Sequence, residues 1–317
     1  MGHAILARFR ALDAAFHARA PRGEVLHARF AALAALNSPL DIETLIETSF
    51  ETRAALNTGL GPWRSPNRPM RLVFAAALAA SGRTARQFLE TRRALAEQRQ
   101  ARGARALAHG GSCAALSLVT AGGQSWQADQ FFDVLDAIAA PWWQREAARE
   151  DVLAAAFTAM GETPEDAVNH LAHARQALIT AGVPQHHAVA ASYEVATTRM
   201  DPAELAGAWT SLNIAVRGRA ALQHGTGKTG LATLAASGNG PAMADALVDA
   251  FEAVGQLKPK PTSQTAARLA LRLAQAQAGL AKPIAAAGEL AAILAAQAAI
   301  VAAVTASTGA VAVGAGH

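Results

Sequence analysis

FLETRRAL, Phe88 to Leu95, sets an apolar residue at each end of a mostly polar stretch, seven positions apart. Seven positions make two turns of an α-helix, so Phe88 and Leu95 fall on one face. The same spacing returns in FFDVLDAI (Phe131 to Ile138) and LAHARQAL (Leu171 to Leu178). It returns again in LAGAWTSL (Leu205 to Leu212) and LVDAFEAV (Leu247 to Val254). The copies recur about every 38 residues, a period typical of helical repeats. Between them run small-residue helices that stop at a glycine. LVFAAALAASG ends at Gly82, CAALSLVTAGG at Gly123, VLAAAFTAMG at Gly161 and GLATLAASG at Gly238. Glycine is the residue a helix C-terminus favours. VAASYEVATTRM, ending at Met200, has no glycine, and Asp201-Pro202 supplies the break. RLALRLAQAQAG, ending at Gly279, reads as a sixth, degenerate copy.

This pattern predicts an all-α protein, an α-solenoid-like array of helical hairpins. One hairpin cannot bury its apolar face alone, so the copies stack. Composition agrees. Apolar residues make up 52% of the chain, while aromatics are only 5%. Alanine, the best helix former, dominates the apolar set. The β-branched and aromatic residues that strands favour are sparse.

Outward from the repeats, residues 1–60 read as three helices. They are separated by Pro21 and Gly23 and by Asn37-Ser38-Pro39, with Asp41 placed to cap the third. GLGPWRSPNRP, Gly59 to Pro69, is a loop by composition and the main boundary. The expected organisation is an N-terminal helical segment (1–60), hairpin repeats (70–281) and an Ala-rich C-terminal helix and tail (282–317).

From Leu290 to Gly316 that tail has no charged residue. Three roles stay open for it: a helix capping the open end of the array, a self-association surface, or a membrane-associated segment over residues 290–313, which is long enough to span a bilayer. Hairpins ending in AAILAAQAAIVAAVTASTGAVAV resemble a family of uncharacterised bacterial α-helical repeat proteins of unknown function. That resemblance implies no activity, cofactor or site residue.

Net charge is +4, nearly all of it from arginine. That is weak for a nucleic-acid binder, so nucleic acid is not an expected partner. A lone cysteine, Cys113, rules out an intrachain disulfide and fits a cytoplasmic setting. It sits at an apolar repeat position and reads as a small buried residue. The first twenty residues read as an amphipathic helix, not a signal peptide.

Candidate chemistry is thin. Gly227-Lys228-Thr229 ends like a phosphate-binding loop, but Leu222 stands where the motif needs glycine. ALQHGTGKTGL (Ala221 to Leu231) also matches ALAHGGSCAAL (Ala106 to Leu116), which makes both inter-repeat turns. A weak anion site at a helix start is the functional alternative. His109, His186, His187 and His224 read as solvated turn residues. Asp166, His170 and His173 share a helix face, half of a metal site, with no partner half in the sequence. Arg92, Arg99 and Arg102 belong to the most basic stretch and could hold phosphates or an acidic partner. Trp126, Trp142, Trp143 and Trp209 read as core or interface. Together these features predict an interaction scaffold that binds a protein or peptide, needs no cofactor and can self-associate. A membrane-associated scaffold and a metal-dependent enzyme using Asp166, His170 and His173 are the alternatives.

Overall fold

The computed structural model describes residues 2–61, 64–198 and 200–277. The described chain is all helical. The first half runs α1 (Gly2–Arg19), α2 (Val25–Ala34), α3 (Ile42–Gly59), α4 (Met70–Ala80), α5 (Ala85–Arg102), α6 (Ser112–Thr120) and α7 (Ala128–Ile138). The second half runs α8 (Ala147–Met160), α9 (Pro164–Thr180), α10 (Gln185–Val195), α11 (Pro202–Ala215), α12 (Ala220–Gln223), α13 (Gly225–Ala235), α14 (Gly240–Gly255) and α15 (Ser263–Gln277). The whole tail expected at 282–317, with its membrane stretch 290–313, lies outside the described residues. No described helix is long and apolar enough to cross a membrane.

The helices form two layers. In one, α2, α4, α6, α8, α10, α13 and α15 each pack on the next, and α15 returns to α2. In the other, α1, α3, α5, α7, α9, α11 and α14 do the same, and α14 returns to α1. The first and last described hairpins therefore cover each other. Arg29 seals the seam by donating to the Pro259 carbonyl at 2.5 Å, and Arg10 donates to Gln256 at 3.1 Å.

The two layers differ in burial for a reason visible in their residues. Every residue of α6 is buried, and α4 and α15 are buried almost throughout. A helix that is small and apolar all round needs neighbours all round. Helices of the other layer bury one stripe. The residues seven apart supply it: Phe88 and Leu95, Phe131 and Ile138, Leu171 and Leu178, Leu205 and Leu212, and Leu247 and Val254 are all in the core. Asp41 caps α3 by accepting from the Thr44 amide at 2.9 Å. Gly161 ends α8 in the left-handed conformation. After α6 the left-handed residue is Gly122, one position before the expected Gly123.

Two buried charged groups fix the long connections. Arg71, 1% exposed, donates to the carbonyls of Pro66 and Gly61 and to Asn57 Oδ1. It thereby shapes the loop expected to be a boundary, and α3 and α4 pack on each other across that loop. On α8, the adjacent Glu150 and Asp151 are fully buried. Arg105 bridges them, at 3.1 Å to Glu150 and 2.8 Å to Asp151. Burial pushes the Asp151 carboxyl up to about 6, against the opposing pull of Arg105.

Removing one partner of a buried pair leaves an uncompensated charge. Arg105→Met is expected to destabilise the fold by about 3–5 kcal/mol, measured by urea denaturation at pH 7. A loss under about 1 kcal/mol, the size of a surface pair, would show that the bridge carries little.

Candidate functional site

A groove of about 790 Å³ opens between the end of α7, the α7–α8 connection, α9 and the start of α10. Its walls are largely apolar: Ile138, Pro141, Val168, Leu171 and Val189. Val168 is 40% exposed, which is unusual for valine on a packed helix. Arg175, Glu146, His186 and Tyr193 add polar groups.

The α7–α8 connection is built by one buried side chain. Glu150 Oε1 accepts from the amides of both Ala140 and Glu146, each at 3.3 Å. Arg145 donates to the Ala140 carbonyl at 3.3 Å, and its Nε lies 3.7 Å from Glu150. The connection is thus clasped at both ends by a carboxylate in the core. Between the clasped ends, a 3-10 turn carries Trp142 and Trp143. Their rings meet edge to face at 5.8 Å. They are 78% and 66% exposed. Trp126, on the connection from α6 to α7, is also exposed, whereas Trp209 is in the core.

Arg175 supplies the groove's unmet polar demand. Its Nε is buried and has no hydrogen-bond partner among the described residues. A buried donor without an acceptor costs free energy. The Tyr193 phenol is pushed up, first by burial and then by Glu150, with Arg175 opposing.

The residues singled out from the sequence are placed as follows. Asp166, His170 and His173 lie exposed along α9. Asp166 is occupied at the helix start, accepting from the Thr163 hydroxyl at 2.6 Å. His170 sits against Phe157 at 5.8 Å. Among the described residues, no three His, Cys, Asp or Glu side chains gather closely enough to hold a metal ion.

The arginine stripe splits. Arg102 turns to the acidic edge of α7, 2.9 Å from Asp129 and 3.9 Å from Asp136, and also pairs with Asp133. Arg92 turns the other way and donates to Ser112 at 3.3 Å. Ten residues along a helix leave them about 80° apart, and different neighbours claim each. Arg99, between them in sequence, is half-buried.

Gly227-Lys228-Thr229 is not a turn but the body of α13's first turns. A side chain at Gly227 would run into the Ala221 carbonyl oxygen, so the backbone there is packed against α12 and not open to a ligand. Thr229 is buried against His187, and Lys228 lies 5.9 Å from the Trp209 ring. Cys113 is buried, which pushes its thiol up to about 12.

His187 corrects the reading of the turn histidines as solvated. It is 7% exposed, its Nδ1 is 2.9 Å from Thr229 Oγ1, and its ring packs 3.8 Å from His186. Burial drives its pKa down to about 4, with His186 and Lys228 adding to the fall. Position three in α10 puts it on the face toward α13, which the turn composition around Pro184 conceals.

The groove is what the sequence missed, although Trp142 and Trp143 beside it were read as core or interface. Its signals were two adjacent tryptophans after Pro141 and a valine among polar residues in α9. No known family, curated protein or solved structure matches the chain.

A depressed histidine stabilises the folded state above its unfolded pKa and destabilises it as pH falls through the folded value. For His187 the window runs from 6.5 down to about 4. His187→Gln is expected to flatten the pH dependence of unfolding free energy in that window. An unchanged slope would place the titration elsewhere.

Proposed function

We propose that this chain is a helical-repeat interaction scaffold that binds a polypeptide through the groove between the α7–α8 connection, α9 and α10. The array is read as seven hairpins closed on themselves: α1 with α2, α3 with α4, α5 with α6, α7 with α8, α9 with α10, α11 with α13, and α14 with α15. The observation that carries the reading is the exposed Trp142–Trp143 pair, held on a connection clasped at both ends by buried Glu150.

Large exposed aromatics are costly in water and unusual unless a partner covers them. Tryptophan and arginine are also the residues that most often dominate binding at interfaces. Because the connection is clasped, little ordering entropy is lost when a partner lands on it. The apolar walls would take one or two aliphatic or aromatic side chains. Arg175 would take a carboxylate or a backbone carbonyl from the same segment. The expected ligand is therefore a short apolar peptide segment with an acidic residue close by.

The test is to pan a displayed peptide library on the full-length protein and measure the enriched peptides by fluorescence anisotropy. Enrichment of apolar, acid-flanked peptides is expected. Trp142→Ala with Trp143→Ala should weaken them by about a hundredfold or more, since anchor residues contribute on the order of 2–4 kcal/mol. Its circular dichroism and melting should stay near wild type. Equal binding by the double variant would overturn the proposal. So would failure to enrich any sequence while phosphatidylserine vesicles bind through the same two tryptophans.

A further inference from the structure

A second cavity, about 480 Å³, lies between the loop after α3 and the outer face of α5, away from the groove. Three guanidinium side chains line it: Arg64, Arg92 and Arg93. Among the described residues, none of the three makes an ion pair with a carboxylate, although ion pairs are formed by Arg86 and Arg102 on the same helix. The nearest acidic residue upstream, Glu90, is taken by Arg86 at 2.7 Å. Beneath the cavity sits the buried Arg71, whose guanidinium is bonded to carbonyl oxygens, among them Gly61 at 2.7 Å and Arg64 at 3.3 Å. Those carbonyls carry no net charge, so they do not cancel its positive charge.

Like charges gathered in one place repel, and the effect is on record in Arg92. Its guanidinium is pushed down first by burial and then by the Arg64 charge. Arg92 is also fixed in position. Its Nε donates to Ser112 Oγ at 3.3 Å, and Ser112 in turn donates to the Ser65 carbonyl at 2.8 Å. Nη2 of the same side chain lies 3.6 Å from the point a Cβ on Gly110 would occupy. The cavity's remaining wall is apolar, from Leu60, Leu89 and Ala96. A water-filled basic patch would need neither a fixed guanidinium nor an apolar wall.

We propose that this cavity binds a small phosphate monoester, its phosphate between Arg64, Arg92 and Arg93 and its uncharged organic part against Leu60 and Leu89. Guanidinium groups match phosphate oxygens two at a time, and a dianion offsets the crowding of positive charge that the empty cavity must bear. The volume falls within the range of small-ligand sites. Arg71 is a positioning residue here: it holds the loop that presents Arg64 and does not touch the ligand.

Isothermal titration of full-length protein with phenyl phosphate, inorganic phosphate and phenol tests the assignment. One phenyl phosphate per chain is expected, binding more tightly than inorganic phosphate, with phenol not binding. Arg64 and Arg93 are exposed. Replacing both with glutamine should leave the melting curve intact and weaken phenyl phosphate by about tenfold or more, given the strength of charged hydrogen bonds. Arg92→Lys keeps the charge but loses the fork, and should also weaken it. Absence of phenyl phosphate binding to the wild type would overturn the proposal. Equal binding of phenol, or undiminished binding by the Arg64→Gln/Arg93→Gln protein, would overturn it too.

Discussion

Glu150 and Asp151 stand side by side near the start of α8, and both carboxylates are withdrawn from solvent. Burying two acids next to each other costs several kcal/mol unless each finds donors. Here every donor comes from a connection, not from a helix interior. Glu150 takes the amides of Ala140 and Glu146. Asp151 takes the amide of Ala108 at 2.7 Å and the guanidinium of Arg105. One turn of helix therefore fixes two connections, the one with the exposed tryptophans and the one leading into α6. The raised Asp151 and the inert Cys113 thiol are consequences of the same burial.

Arg71 does for the loop between α3 and α4, with a positive charge, what Glu150 does for the α7–α8 connection with a negative one. Among the described residues it meets no carboxylate, only carbonyl and amide oxygens, and so it organises a loop while leaving its charge uncancelled. The two candidate surfaces inherit opposite characters from these choices. Around Glu150 the connection displays neutral aromatic surface beside an apolar groove. Around Arg71 the loop and α5 bring together Arg64, Arg92 and Arg93, which among the described residues form no ion pair with a carboxylate. A third set, Arg29 and Arg10, ties the first hairpin to the segment between α14 and α15, where the layers meet their own beginning. Mutual cover of the two ends hides the apolar faces that the end units of an open array would have to cap with polar surface.

The legible part of the sequence was local and periodic. Pairs such as Phe88 and Leu95 or Leu247 and Val254 announced a buried helical stripe because periodicity survives without knowledge of neighbours. Asp41, Pro202 and Gly161 marked helix ends because capping involves only the nearest few residues. The basic stretch of α5 was legible as charge and as a candidate for holding phosphates or an acidic partner, but not in how its arginines are grouped. Arg102 was claimed by α7 and Arg92 by the α6 N-terminus, and only Arg64, from a distant loop, completed the cluster. His187 looked like a turn residue beside Pro184, yet its partner Thr229 is 42 positions away.

The sequence by itself determined that this chain is helical, where several of its helices begin or end, and which stripe of α5, α7, α9, α11 and α14 faces inward. Those properties follow from backbone capping and from 3.6-residue periodicity, which act over a few residues. Tertiary structure alone decided that α15 returns to α2, that Glu150 clasps the Trp142–Trp143 connection, and that Arg64, Arg92 and Arg93 share a cavity. Each of these joins groups far apart in the chain, and a long-range contact leaves no period in the sequence. It is set by which faces remain uncovered once the helices have packed.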